Sequence, residues 1–525
     1  MIAFSLSLPT LLVAAVAQAE LSFETKPRKT LEKSINWGQC SPELEESNGA
    51  NVTIQCACLA VPLDYTNHSN KATIDLELLR VPALRGPNKG SILLNFGGPG
   101  GDGRHSLANT STQYSVASNY VHDLIAFDPR GTVNTLRTSC MNNEENSVFT
   151  AKYPMFSNVS DVQLSHHWVG SEILANACYK NMSNFGHLIG TGTTARDLMS
   201  VVDALGEDGL LRFWGISYGT VLGATVAAMF PDRMDKLVLD AVVNAHEYYN
   251  GYEFEYLTKA DAALSGFFEG CIGNASNCAL ANGNATAAQL ENQFYEYLWN
   301  IKVNPWLFNG NASIDYVTLK DYMLEAIYAP ESWPATAIAL DGLYKGNATA
   351  LIKASIGTSM SEEGTPNAMF AIRCSDKRVE EKSRNHLFQI SREKYTLSNI
   401  AGDTDGFQEM ACAHWRMPSK ELYEGDLFHV TTKNPVLFIG NTYDPVTPVE
   451  SARNMSAAFY GSVTLEHFGY GHSSFAQQSA CTFRAIRAYF NEGQLPPVNS
   501  TCIPDVTLFS GLGIDHVIAI VDKSE

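Results

Sequence analysis

Three features of the chain predict an α/β protein with a mostly parallel central sheet. Short apolar runs ending in glycine- or proline-bearing turns alternate with segments of helical periodicity, as right-handed βαβ units require. One serine stands between two glycines in "FWGISYGTVLGATVAAMF", residues 213–230, where such a run meets a long apolar helix. The strand-then-loop rhythm is then lost from about residue 246 and returns after residue 427, which predicts a helical insertion in a split core.

In chain order, "MIAFSLSLPTLLVAAVAQAE" has an apolar stretch from Leu6 to Val16 and small residues at Ala17-Gln18-Ala19. This is the pattern of a cleaved signal peptide over residues 1–19, and it predicts a secreted protein. The run is too short to span a bilayer, and nothing later approaches about 18 uninterrupted apolar residues. The first part of the core, 20–245, holds the strands in "KGSILLNFGGPGGDG" and "HDLIAFDPRG". It also holds a helix over Thr193–Leu205, with Thr194 as its expected N-cap and Gly206 as its stop, and a strand in "KLVLDAVV", Lys236–Val243. Residues 246–427 read as a helical cap, or lid, laid over the sheet. Residues 428–525 complete the core through "NPVLFIGNTYDPVTP" and "SVTLEHFGYGHSSF".

Composition narrows the function. Hydrophobic content of 45% with 17% charged residues is that of a packed globule, and a net charge of −19 argues against nucleic acid and anionic membrane surfaces. Eleven cysteines suit an oxidising compartment. The short spacing of Cys271 and Cys278 suggests a small closed loop, and the odd count leaves one thiol over, with Cys56 and Cys58 as the alternatives. N-glycosylation sequons stand at Asn51, Asn67, Asn109, Asn158, Asn181, Asn274, Asn284, Asn311, Asn347, Asn454 and Asn499. No cofactor or metal is expected. The cysteines lack zinc spacing, His166-His167 has no partner at ligand spacing, and the Gly97–Gly101 loop lacks both the P-loop lysine and the dinucleotide fingerprint.

Gly215-x-Ser217-x-Gly219 fits a sharp strand-to-helix turn that lifts a nucleophile, since any Cβ at the flanking positions would crowd such a turn. A serine hydroxyl needs an imidazole to take its proton, and the imidazole needs a carboxylate to fix its tautomer. Asp444, just beyond its strand, and His472, in a glycine-bearing loop beyond the next, follow in the chain order serine, acid, histidine. His467 is the rival of His472. The backbone N–H groups of Tyr218 and Gly98 are the expected oxyanion donors.

The stretches "NFGGPGGDG", "FDPRG", "GTTARDLMSVVDALGE", "GISYGTVLGATVAAMFPDRMDKLVLDAVVN", "NTYDPVTP" and "GHSSF" resemble the secreted tripeptidyl aminopeptidases and their prolyl-aminopeptidase-type relatives among the α/β-hydrolases. The similarity runs from about Trp37 to Cys502, and "AIRCSD" around Cys374 also fits it. The resemblance implies Ser217, Asp444 and His472 as nucleophile, acid and base. It also implies disulfides Cys40–Cys56, Cys140–Cys178, Cys374–Cys412 and Cys481–Cys502. The chain departs from the family where Asp240 is followed by Ala241 instead of glycine, and where "FDPRGTVNT" lacks the glycine-serine ending.

A serine exopeptidase acting on oligopeptides, as a monomer, is the expectation. The same machinery would serve a carboxylesterase or a hydrolase of small esters and amides, and a catalytically silent binding protein is a third reading. An aminopeptidase must bind a free ammonium, for which Glu247, Glu253, Glu255, Glu362 and Glu363 are the candidates.

Overall fold

Eleven strands are defined among the residues the computed structural model describes: 34–49, 52–281, 283–359, 365–378 and 381–522. The expected signal peptide, Asn51, Glu362 and Glu363 lie outside the described residues. In chain order the strands are β1 (Gln55–Pro62), β2 (Thr73–Val81), β3 (Ser91–Asn95), β4 (Asp123–Phe127), β5 (Leu211–Ile216), β6 (Met234–Asp240), β7 (Trp306–Phe308), β8 (Ala312–Ile314), β9 (Leu437–Tyr443), β10 (Val463–Tyr470) and β11 (Thr501–Cys502). Nine of them form one sheet in the order β1-β2-β4-β3-β5-β6-β9-β10-β11. β1 and β2 pair antiparallel, as do β2 and β4, and every other pairing in the sheet is parallel. This is the α/β-hydrolase architecture.

The central strands are apolar because both of their faces are covered. Leu93, Ile125, Phe213, Leu237 and Phe438 point into one core layer. Their neighbours Leu94, Leu124, Trp214, Val238 and Leu437 point into the other, the period-2 alternation of a pleated strand. Arg130 of "FDPRG" is buried and joins distant parts of the first layer. Its Nε and Nη2 donate to Asp197 at 2.6 and 2.9 Å, and its remaining donors reach the carbonyls of Pro62 and Leu63.

Two element boundaries differ from the sequence reading. β6 begins at Met234 and ends at Asp240, so Val242 and Val243 lie beyond it. The helix expected from Thr193 spans Thr191–Leu205, with Gly190 at its N-cap and Gly206, φ 68°, at its stop. Thr194 is therefore inside the helix, its hydroxyl donating to the Gly190 carbonyl. A carboxylate from far along the chain, Asp376, replaces the local cap by accepting the Thr191 N–H at 2.8 Å.

The span 246–427 is helical apart from the antiparallel β7–β8 hairpin, which the sequence pattern did not predict. Its middle packs round a core of its own, including Phe267, Phe294, Leu319, Trp333 and Leu340. Its two ends instead pack into the sheet's first layer, through Tyr248 and Tyr249 at one end and Ile372, Cys412 and Trp415 at the other. Buried ion pairs brace these joints: Lys320 with Asp403 at 2.5 Å, and Lys377 with Glu253 at 3.0 Å and Glu409 at 3.1 Å.

Five disulfides close at Cys40–Cys56, Cys140–Cys178, Cys271–Cys278, Cys374–Cys412 and Cys481–Cys502. Cys58, rather than Cys56, stands outside these bridges. All ten described sequon asparagines are exposed or half-buried.

Ala241, just after β6, is fully buried and has φ 58°, the left-handed region in which a Cβ is strained. Ala241→Gly exchanges that strain for glycine's entropy and a lost methyl, so its net cost stays under about 0.5 kcal/mol in denaturant unfolding. Ala224→Gly, inside the buried helix Tyr218–Met229, has no strain to release and costs at least about 1 kcal/mol.

Candidate active site

Strand register brings the candidate triad to one edge of the sheet. Ile216 is level with Asp240, Asp240 with Ile439, and Tyr443 with Tyr470. Ser217, Asp444 and His472 each follow one of these residues, so all three leave the carboxyl ends of parallel strands.

Ser217 has φ 57° and ψ −126° and begins the helix Tyr218–Met229. Its side chain makes no capping hydrogen bond, so the hydroxyl does not serve as a helix cap. The surrounding glycines explain the turn. A Cβ on Gly215 would lie 2.3 Å from the Gly219 carbonyl oxygen, and one on Gly219 would lie 2.3 Å from that of Asn95. From the other side, a Cβ on Gly97 would come within 2.8 Å of the Ser217 Cβ and 3.0 Å of the Tyr218 nitrogen. The glycine-rich loop is thus pressed against the elbow. The Gly97 N–H donates to the Asn95 side chain at 3.1 Å, which leaves Gly98 as the next donor along the loop. Tyr218 occupies the first helical turn, where a backbone N–H has no intrahelical acceptor.

Asp444 is fully buried, and both of its carboxylate oxygens lie 3.1 Å from His472 Nδ1. The carboxylate also accepts backbone N–H groups from Val446, Thr447 and Ser473, which fix its plane. Thr447 Oγ1 stands 3.2 Å from the same imidazole nitrogen. The turn carrying His472 docks on the helical insertion: the His472 N–H donates to the Tyr328 carbonyl at 2.8 Å, and the two rings lie 5.1 Å apart. Gly471, at φ 88°, has room for no side chain there, because a Cβ would sit 2.7 Å from the Tyr328 carbonyl oxygen. His467 is excluded as the base. It is buried, its two nitrogens are taken by Thr482 Oγ1 and the Gln477 carbonyl, and burial pushes it down to about 4.

Sequence reasoning missed the part played by Asp240. Its carbonyl accepts the Ser217 N–H at 3.1 Å, while its buried carboxylate accepts from the N–H and hydroxyl of Ser474 at 3.1 and 2.5 Å. One residue therefore ties the elbow to the histidine turn. Burial pushes the Asp240 carboxyl up to about 6, against the pull of the Ser474 donors. Burial also presses the His472 imidazole down, but Asp444 and then Asp240 more than offset this, and the net direction is up.

The three described glutamates expected to meet a substrate ammonium each have donors within the chain. Glu247 accepts the N–H groups of Phe254 and Glu255. Glu253 pairs with Arg373 and Lys377, which overcome its burial and hold it down at about 2. Glu255 accepts from Asn244, Ser451 and Asn454. His167, of the adjacent histidine pair, donates its Nε2–H to the Pro154 carbonyl at 2.7 Å and sits in the core. No group of three or more metal-ligating side chains occurs among the described residues.

Residues 398–502 match the family model described as TAP-like protein. Over 495 aligned residues the chain is 24% identical to a tripeptidyl aminopeptidase of Streptomyces lividans, covering 90% of this chain and 87% of that protein. It is 25% identical to the serine protease Hip1 of Mycobacterium tuberculosis, covering 90% and 91%. It is 24% identical to carboxylesterase B of the same species, covering 89% and 90%. With the sheet order and the serine elbow, these similarities make the chain a serine hydrolase of the α/β-hydrolase fold with a TAP-like C-terminal region.

Asp240→Asn tests the link between elbow and histidine. Without the negative neighbour the imidazole loses part of its upward shift, so the acid limb of kcat/KM moves to lower pH, by about half a unit. Asp240 is raised from 3.8 to about 6 in the folded chain, so its ionisation costs stability as pH rises through that window and above it. At pH 8, Asp240→Asn therefore leaves Tm unchanged or higher while kcat falls by about threefold to tenfold.

Proposed function

We propose that the protein is a secreted serine exopeptidase that releases short peptides or single residues from the amino ends of oligopeptides. One observation carries the hydrolytic part: the Asp444–His472 pair stands at the same sheet edge as the strained Ser217 elbow. In this reading His472 takes the Ser217 proton as the hydroxyl attacks the scissile carbonyl, and Asp444 holds the imidazole with Nδ1 protonated. The backbone N–H groups of Tyr218 and Gly98 receive the oxyanion. His472 then protonates the leaving amine, and water activated by the same imidazole releases the acyl group from Ser217.

The relatives named as a tripeptidyl aminopeptidase and a serine protease favour peptide bonds. The carboxylesterase B similarity, at the same 24% identity, favours the second reading, an ester or small-amide hydrolase. The helical insertion would act as a lid that admits short or unfolded chains. Secretion is supported by the apolar N-terminus, the five disulfides and the accessible sequon asparagines, and no described helix is long and apolar enough to cross a membrane.

The deciding assay compares tripeptidyl, prolyl and aminoacyl amides with free and acetylated amino termini. An exopeptidase loses at least about tenfold in kcat/KM on acetylation, because the ammonium contact is removed. Equal turnover of both, with brisk ester hydrolysis, selects the esterase. Ser217→Ala lowers kcat by about 10⁴-fold or more under either reading. Protein secreted from a eukaryotic host begins after Ala19 and loses mass on treatment with an N-glycosidase.

A further inference from the structure

The buried contacts of Tyr218 point to a device that the triad does not include. Tyr218 enters the elbow twice: its backbone N–H is the donor proposed for the oxyanion, and its side chain is buried in the first core layer. There the phenol is 2.6 Å from Thr191 Oγ1. The Thr191 hydroxyl is in turn 2.6 Å from Asp376 Oδ2, and the Thr191 N–H donates to Asp376 Oδ1 at 2.8 Å. A carboxylate accepts only, so the Thr191 proton goes to Asp376 and the Tyr218 O–H donates to Thr191. The chain of donors has one direction, and its terminus is an anion. Tyr248 adds a second phenol to the same carboxylate at 2.9 Å. All four side chains are at most 4% exposed.

The terminus of this chain is firmly held. Asp376 ends the helix Thr365–Asp376, whose last residues are the "RCSD" of the family-like stretch. Arg373 pairs with Glu253, Cys374 is bonded to Cys412, and the Ser375 hydroxyl donates to the Met417 carbonyl. On the other side Gly190 admits the close approach, since a Cβ there would sit 3.0 Å from Asp376 Oδ1 and 2.6 Å from Ser419 Oγ. Rigid supports on both sides leave the Tyr218 ring one seat.

We propose that Thr191 and Asp376 are positioning residues for the oxyanion site, fixing the backbone N–H of Tyr218 through the Tyr218–Thr191–Asp376 hydrogen-bond chain. The insertion, on this view, supplies part of the oxyanion hole's foundation from behind the nucleophile. The inference rests on the serine-hydrolase reading of Ser217 but not on its substrate being a peptide.

The test uses the full-length protein with p-nitrophenyl acetate as substrate and a fluorophosphonate as a probe of Ser217. Thr191→Val and Tyr218→Phe should each lower kcat and the labelling rate by about tenfold, less than the loss of a whole oxyanion donor, with KM within twofold. Thr191→Ser, which keeps the hydroxyl, should recover most of the loss. The double variant Thr191→Val/Tyr218→Phe should be no slower than the slower single one, because both changes break the same chain. Tyr218→Phe leaves the Thr191–Asp376 bonds in place and so guards against a folding defect in Thr191→Val. The proposal is overturned if folded Tyr218→Phe keeps kcat within twofold of the unmodified protein, if the two losses multiply, or if Thr191→Ser is as slow as Thr191→Val. Failure of the unmodified protein to label at all would instead remove Ser217 as the nucleophile, and the proposal with it.

Discussion

The backbone of Ser217 is the constraint on which the rest of the site depends. A non-glycine residue at φ 57°, ψ −126° is strained by about 1–3 kcal/mol, and such a conformation persists only where its surroundings leave no alternative. Here the surroundings are other backbones. Gly219 lies on the Asn95 carbonyl, Gly215 lies under Gly219, and Gly97 closes the third side. Each of these approaches would be blocked by a single methyl group. The helix that follows is buried along ten of its residues, from Tyr218 to Ala227, so it cannot shift to relax the turn. Strain at one serine is thereby maintained by the packing of an entire layer, and the hydroxyl is held away from the capping role it would otherwise take.

Charge is treated differently inside and outside this region. In the insertion and its joints, buried carboxylates face cations: Asp403 with Lys320, and Glu253 with Arg373 and Lys377. Around the elbow, Asp240 is instead held by the N–H and hydroxyl of Ser474, and burial pushes it up to about 6. Burying a carboxylate without a counter-ion costs stability. A cation would satisfy it more fully, but would also cancel the negative field that favours a protonated His472 as the nucleophile's proton is taken up. Neutral donors preserve that field. The arrangement gives up some stability at the sheet edge where the chemistry lies.

How much of this could be read from the sequence follows from the range of the interactions. Ser217, Asp444 and His472 were legible because each follows a short apolar strand, and the glycines beside Ser217 report a local steric need. The Thr191 helix start was misplaced because its cap is Asp376, 185 positions away. Glu253 and Glu255 draw partners from much later in the chain, Arg373, Lys377 and Ser451, which the sequence does not place beside them, whereas Glu247 accepts from Phe254 and Glu255 close by. His472 and His467 are separated by their partners: His472 lies against Asp444, whereas His467 is buried against Thr482 and Gln477. The β7–β8 hairpin, three residues to a strand, is too short for any periodicity to reveal.

These long-range contacts change what the insertion is. Its middle has a separate core and its ends share the sheet's core, and it reaches the site at two points, one from the middle and one from an end. Tyr328 accepts the backbone N–H of His472, and Asp376 anchors Thr191 behind Tyr218. A rigid swing of the whole insertion would break both contacts and expose two buried carboxylates, Asp376 and Asp444, to a new environment. His472 and Tyr218 are each braced by the insertion, so the core alone holds Ser217, Asp444 and His472 but lacks two of the contacts around them.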